Sequence, residues 1–549
     1  MKTIVCISIL IVLFFAVSAV GQTIGSEIYP TEDELYEAYL LDQINYQTFL
    51  NLREIINSGI DNTNLYLLEE IPNINFFPRF DIGHQSDFEQ ELANPSVSEK
   101  AKVTEDYFSG SIKWKRYQKL NKIGRDKNRI YLKSQLSEDW SFKLNGLDEY
   151  IGRQEFSFRS LNYKSQRGAI KKLVIGNYTA RFGLGLTVGY RGRLLDKDYL
   201  ALEETFLFPD YGGFNGIYAE GGPRKNRVKW LFHYDKNDTI LVRTSAININ
   251  KIFGSYRVEG SLLGAVINNR LNKIELRQYQ LGLLMGYSKN DFEAAVEVSL
   301  PKNNLENPTR DNQAALAKIA YKRDDVSLKF SAWHYGSNFI NLFGGGRSGD
   351  LYRTVSFDAI DLSYRDRRNN QRGFLVKSAT VISETIESEM LLSVYGGSRF
   401  ERFIEIQASL GKIFSKKTRL RVYYELLRKE KLGKISNDNS LKLEYNYKKR
   451  KFSLRSFLGY TYDNEDKNYL SFHFRTKLKS IILKEIEFWV NFSRINIETG
   501  NIDYFYGYIR EKVDLTKTAS LAIRYRYRFN RRFTESDEST IYLETKIVW

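Results

Sequence analysis

Ten basic residues carry most of the chemistry this sequence offers: Lys329, Arg419, Arg421, Lys442, Arg455, Arg475, Lys477, Arg524, Arg526 and Arg528. Each sits in an apolar–polar alternation, on the side away from the apolar stripe. In Ala519–Phe529, Leu521, Ile523, Tyr525, Tyr527 and Phe529 share one parity, and Arg524, Arg526 and Arg528 share the other. A period of two marks a strand between two unlike environments. Cations gathered on one face focus a positive potential that favours anions. Acids of the same parity, such as Glu405, Glu425 and Glu444, offer the competing use, which is pairing across strands to stiffen a wall.

Other chemistries find little support. The histidines at 84, 233, 334 and 473 stand far apart without paired ligand spacing, and the one cysteine, Cys6, lies in the N-terminal apolar run, so no metal site is expected. By parity His473 joins Ser471, Arg475 and Lys477 as a solvated residue. Asp324-Asp325, and Asp235 with Asp238, fall at turns, where side-chain acceptors stabilise the bend. No catalytic residue is assigned and the chain does not read as an enzyme. Gly183-Leu-Gly185 is followed by no helical pattern, and Leu342–Gly349 lacks the Gly-Lys-Ser/Thr ending of a phosphate loop and reads as an exposed loop. No cofactor is expected.

Placing so many cations at one parity requires many strands. Alternation recurs in Ile130–Leu136, Val326–Ala332, Ile404–Leu410, Leu420–Leu426, Leu441–Tyr447 and Leu470–Leu478. Hairpin turns are expected at 236–238, 289–291, 323–325 and 463–466, and longer connections at 191–226, 301–313, 336–354 and 430–439. Tyr (37) and Phe (35) greatly outnumber Pro (8), which favours uninterrupted strands. A propeller would repeat every 40–50 residues or so, and no such repeat is present.

The last run, Ile541–Trp549, ends on an aromatic residue and so resembles the closing strand of outer-membrane β-barrels. The resemblance implies a mainly β fold, a large antiparallel transmembrane β-barrel; the alternating segments number about 24 strands, and a small N-terminal α-helical module precedes them. It implies a place in the outer membrane of a Gram-negative bacterium, with membrane lipids and the outer-membrane assembly machinery as partners and Trp549 as assembly signal. Gly176-Asn-Tyr-Thr-Ala-Arg-Phe-Gly-Leu-Gly-Leu-Thr-Val-Gly189, preceded by Leu173-Val-Ile175, is similar to a segment of large outer-membrane barrels of Bacteroidota and related bacteria. In that family a region related to helix-hairpin-helix modules precedes the barrel.

Four parts are therefore expected. Residues 1–21 have the positive start, apolar core and small exit residues of a signal peptide. Residues 22–75 form a periplasmic helical module, opened by the capping box Thr31–Glu34. Residues 76–104 are a linker or plug-like segment, and 105–549 the barrel. Gly59-Ile-Asp-Asn-Thr-Asn64, with Leu65, Leu68 and Ile71-Pro-Asn-Ile74, is similar to the helix-hairpin-helix core, but Asn73 replaces the hairpin glycine that lets backbone amides reach a phosphate. Nucleic acid is therefore not the expected partner. The leading expectation is a pore or gated conduit with a net-positive lumen. The alternatives are an anchored docking component for an envelope protein and, behind it, DNA handling at the cell surface. The sequence carries no reading of oligomeric state.

Overall fold

The computed structural model describes residues 109–548 except 120–126, 150–153, 166–167, 190–213, 224, 237–239, 270–273, 304–311, 324, 338, 340, 342, 345–370, 384, 398–400, 416–417, 432–433, 450–451, 463–467, 480–484, 498–501, 517 and 531–535. The expected signal peptide, the expected helical module with Asn73, the 76–104 segment, His84 and Trp549 lie outside the described residues.

Among the described residues twenty-four strands follow one another. The first twelve are β1 (Ser109–Lys119), β2 (Lys127–Gln135), β3 (Trp140–Glu149), β4 (Gln154–Lys164), β5 (Ile170–Tyr178), β6 (Phe214–Gly221), β7 (Asn226–Lys236), β8 (Ile240–Phe253), β9 (Tyr256–Asn269), β10 (Ile274–Lys289), β11 (Phe292–Asn303) and β12 (Ala314–Arg323). The others are β13 (Val326–Tyr335), β14 (Arg372–Ser383), β15 (Ile386–Gly397), β16 (Glu401–Ser415), β17 (Thr418–Lys431), β18 (Lys434–Lys449), β19 (Phe452–Tyr462), β20 (Asn468–Leu478), β21 (Glu485–Asn496), β22 (Ile502–Asp514), β23 (Ala519–Asn530) and β24 (Ser536–Val548). Each pairs antiparallel with the next, and β1 pairs with β24 from Ser111↔Val548 to Lys119↔Thr540. The sheet is a closed barrel. Closure leaves no edge strand, so every backbone polar group of the wall can be satisfied without water.

Parity sets the two faces. Leu262, Leu283, Met285, Leu410, Leu441 and Ile523 stand exposed, while their neighbours Ser261, Leu263, Leu284, Ser440 and Arg524 are buried. The apolar residues expected to face lipid are those pointing outward.

The connections are sorted by end. Every even-numbered connection is short, from residues 254–255 and 290–291 up to 479–484, whereas 179–213, 304–313 and 336–371 all emerge at the opposite end. Both the start of β1 and the end of β24 lie at the short-turn end. The expected turns at 236–238, 289–291, 323–325 and 463–466 coincide with strand ends, and Asn290 takes φ 51° in its two-residue turn. Two expected connections are corrected. Residues 191–226 are interrupted by β6, and 430–439 is a tight hairpin, because Lys434–Ser440 continues the β17–β18 ladder.

Candidate functional site

The barrel interior is divided between a folded-in plug and an ionic wall. β5 stops at Tyr178, and the chain then turns inward instead of extending the sheet. Phe182 N–H donates to Val188 C=O (2.9 Å) and Gly185 N–H to Phe182 C=O (2.9 Å), closing a tight loop with Gly183 at φ +58°. A side chain at Gly183 would meet the Glu297 carboxylate at 2.9 Å. Glycine is needed there both for the left-handed backbone and for close approach.

Two buried carboxylates of the wall hold this loop. Glu297 on β11 accepts from Leu184 N–H (2.5 Å) and Thr187 N–H (3.3 Å); Glu259 on β9 accepts from Gly183 N–H (3.0 Å) and Asn248 Nδ2 (3.1 Å). Arg257 pairs with Glu259. The long 336–371 connection supplies a second segment: Asn341 Nδ2 donates to Leu186 C=O (2.5 Å) and Thr187 C=O (3.1 Å), and Gly189 N–H donates to Phe343 C=O (2.9 Å). Gln278 on β10 donates to Asn341 Oδ1 at 3.1 Å. Backbone groups far from any ladder are thus satisfied by wall side chains, as burial requires.

Apolar burial completes the plug. Tyr178, Ala180, Phe182 and Val188 pack with Phe214, Tyr218, Leu231, Val242, Leu263, Leu276 and Phe343; Leu184 and Leu186 pack with Leu284, Leu316, Trp333, Tyr335 and Phe339. The inner wall from β5 to β14 therefore has an apolar core of its own. Each large side chain so removed from water contributes roughly 1.5–3 kcal/mol.

The opposite wall, from β15 round the closing seam to β1, is ionic. Glu387 pairs with both Arg419 and Arg421 (2.6 Å to the latter), and Arg421 reaches Glu389 at 3.4 Å. Lys442 pairs with Glu425 (2.8 Å) and Arg455 with Glu444 (2.6 Å), while Tyr423 O–H donates to Glu444 at 2.5 Å. Glu487 receives Arg475 (2.5 Å), Lys477 (3.7 Å) and Arg510 (3.9 Å); Arg510 also reaches Glu544 (3.9 Å), which Lys113 and Lys115 approach at 3.7 and 3.9 Å. Arg524 lies between the rings of Tyr508 (5.1 Å) and Tyr542 (4.7 Å), and Arg526 donates to Thr540 Oγ1 at 3.1 Å. Arg528 is level with Glu538 on β24. Of the ten basic residues, nine lie on this wall. Lys329 lies apart on β13, opposite Lys377 in register.

Two sequence readings are corrected here. His473 is not a solvated residue: Trp489 Nε1 donates to its Nδ1 at 3.3 Å, and its Nε2 is buried. Of the presumed exposed loop 342–349, Phe343 is fully buried inside the plug. Beyond Tyr178 the glycine string is the plug loop itself. Glu259 and Glu297 were missed altogether. The available signal was a lone inward glutamate among small residues, as in Ala295, Glu297 and Ser299.

No protein-family model matches the chain, and no curated protein sequence does. Among solved structures, the siderophore receptor PirA from Pseudomonas aeruginosa is similar at 10% identity and a TM-score of 0.44, over 82% of this chain and 81% of that one. The Usher PapC translocation pore gives 8% identity and a TM-score of 0.39, over 80% and 99%. An anion-selective porin from Comamonas acidovorans gives 8% and 0.29, over 59% of this chain and all of that one.

Proposed function

We propose that this protein is an outer-membrane β-barrel conduit whose lumen is partly filled by two of its own loops and whose remaining wall favours anions. One observation carries the reading: a closed barrel with an apolar exterior has residues 179–189 and Asn341, Phe343 and Gly344 packed against one inner wall, while charges line the other. The sign of the selectivity comes from the seam, where Arg475, Lys477, Arg510, Lys113 and Lys115 converge on Glu487 and Glu544. Such crowding of cations on few acids leaves a positive potential. The short-turn end then faces the periplasm, as short turns do in barrels of this kind, and the helical module with it. The reading assigns no reaction and no cofactor.

Solute uptake into proteoliposomes tests this. The parent protein is expected to pass small anions slowly, and a variant with residues 180–188 replaced by a glycine–serine linker to pass them faster and to admit larger ones. Equal impermeability of both folded proteins would end the conduit reading.

A further inference from the structure

We infer that the basic inner face at the short-turn mouth of the barrel is the docking surface for this chain's own acidic residues 22–108. Such docking rests on the reading of the barrel as a conduit with a net-positive lumen, and adds an occupant of that lumen.

Charge is divided very unevenly along the chain. Residues 22–108 hold seventeen acidic and four basic side chains, a net charge of −13, while residues 109–549 hold 77 basic and 49 acidic ones, a net charge of +28. The acids are also concentrated. Glu27, Glu32, Asp33, Glu34, Glu37 and Asp42 follow one another with no base among them, as do Asp81, Asp87, Glu89 and Glu91. The two parts of the chain therefore attract each other.

The strand register gathers the barrel's cations in like pairs. Six pairs stand directly opposite across neighbouring strands: Lys113↔Lys546, Lys133↔Lys143, Lys164↔Lys172, Lys329↔Lys377, Arg455↔Arg475 and Arg510↔Arg524. All share the inward parity, since Ile112, Ile130, Ile175, Leu328, Leu458 and Ile523 at the alternate parity are exposed. Apart from Lys377, which is at mid-strand, all lie in the half of their strand nearer the short turns. Like charges directly opposite in a sheet are destabilising, so a polyanion laid over this face relieves a repulsion built into the wall. Glu444, Glu487 and Glu544 answer part of that charge. They are already counted in the +28.

Chain geometry delivers the acids to this place. β1 starts at the short-turn end, where Ser111 is level with Lys133 and Lys113 with Lys546, so the chain preceding Ser109 enters beside two of the six pairs. A closed barrel of 24 strands, spaced about 4.8 Å apart and tilted about 40°, is roughly 45–50 Å across. About 18 residues separate Glu91 from Ser109, and at roughly 3.3–3.6 Å each they reach about 60 Å, far enough to touch any part of the mouth. Tethering gives the segment an effective concentration on the order of millimolar, which a free anion or a separate acidic protein must exceed. Because the barrel's charge outweighs that of the segment, the lumen still favours anions when the segment is docked, though less than the bare wall does.

The test couples carboxylates to lysines with a water-soluble carbodiimide in the full chain, reconstituted in vesicles at about 50 mM and about 1 M salt, and maps the links by mass spectrometry. Links within the wall, Lys113 to Glu544 and Lys477 to Glu487, both 3.7 Å apart, report that the reagent reaches the lumen. At the lower salt, links from acids of 22–108 to Lys133, Lys143, Lys164 and Lys172 are expected. They should fall about tenfold or more at the higher, where charges are screened beyond about 3 Å. A mixture of isotope-labelled and unlabelled protein should show them within single chains. A variant with Glu27→Gln, Glu37→Gln, Asp42→Asn, Asp81→Asn, Asp87→Asn, Glu89→Gln and Glu91→Gln leaves the barrel untouched, and its reversal potential in a salt gradient should lie further toward that of chloride than the parent's. Wall links without links to 22–108 would overturn the docking, as would links only between chains, links unchanged at the higher salt, or a variant that reverses where the parent does. Conductance of the same vesicles reports on the conduit separately: a chloride-favouring current without the links leaves the conduit standing and ends the docking, while the links in a barrel that never conducts uphold the docking and end the conduit.

Discussion

Replacing Glu297 with alanine is expected to loosen the plug without unfolding the barrel. The carboxylate is 2% exposed and accepts two loop amides, at 2.5 Å from Leu184 and 3.3 Å from Thr187. Removing it strands two buried donors at about 1–3 kcal/mol each, so the docked loop loses roughly 2–6 kcal/mol. Against this stands the burial of Phe182, Leu184, Leu186 and Val188, at about 1.5–3 kcal/mol per side chain, or roughly 6–12 kcal/mol together. Burial wins on average, so the loop remains mostly docked. Its undocked population nevertheless rises by roughly 30-fold or more, since every 1.4 kcal/mol or so is a factor of ten. Single-channel recording should show brief openings to a larger conductance that are rare in the parent. Glu297→Gln keeps one acceptor oxygen and should give an intermediate frequency. Heat-modified gel mobility should shift at the parent temperature, because no wall ladder is touched. Unchanged conductance in Glu297→Ala together with a lower unfolding temperature would refute the reasoning and make Glu297 a brace of the wall.

Three further outcomes are expected. Ile523→Arg puts a charge on the exposed outer face and should cost about 2–4 kcal/mol near the midplane, whereas Arg526→Ser removes an inward hydrogen bond to Thr540 and should cost about 1 kcal/mol; urea unfolding of the two in vesicles checks the order. Glu487→Ala leaves Arg475, Lys477 and Arg510 without their shared carboxylate and should destabilise the barrel by about 3–5 kcal/mol, read by the same assay, while surviving channels gain anion selectivity. Removal of residues 22–100 should leave a smaller protein in the membrane fraction that keeps the parent's heat-modifiable gel shift, since the wall closes through β1 and β24.

The wall was readable because each strand repeats one rule. In β23, Ile523 and Tyr525 against Arg524 and Arg526 disclose both faces from spacing alone. The hairpin at 432–433 was hidden for a physical reason. Asn437, Asp438 and Asn439 look like loop composition, yet they continue a ladder at the long-connection end, where a strand needs hydrogen bonds more than apolar side chains. The plug was harder still. Ala180, Phe182, Leu184, Leu186 and Val188 alternate with Arg181, Gly183, Gly185, Thr187 and Gly189 as a strand would, and local pattern cannot separate the two. What diverts this stretch inward is contact across the barrel, with Glu297 about a hundred residues further along the chain. The ionic wall lies between these cases: the parity of Arg475 and Lys477 was legible, but their common partner Glu487 is settled by the β20–β21 register.

The reversal potential of the purified protein in a planar bilayer under a roughly tenfold KCl gradient tests the central claim most directly. A lumen lined by cations crowded on few carboxylates predicts unitary steps whose reversal potential lies toward that of chloride. Steps reversing toward potassium would contradict the anion-favouring wall, and a folded, inserted barrel that carries no current even after Glu297→Ala would contradict the conduit itself.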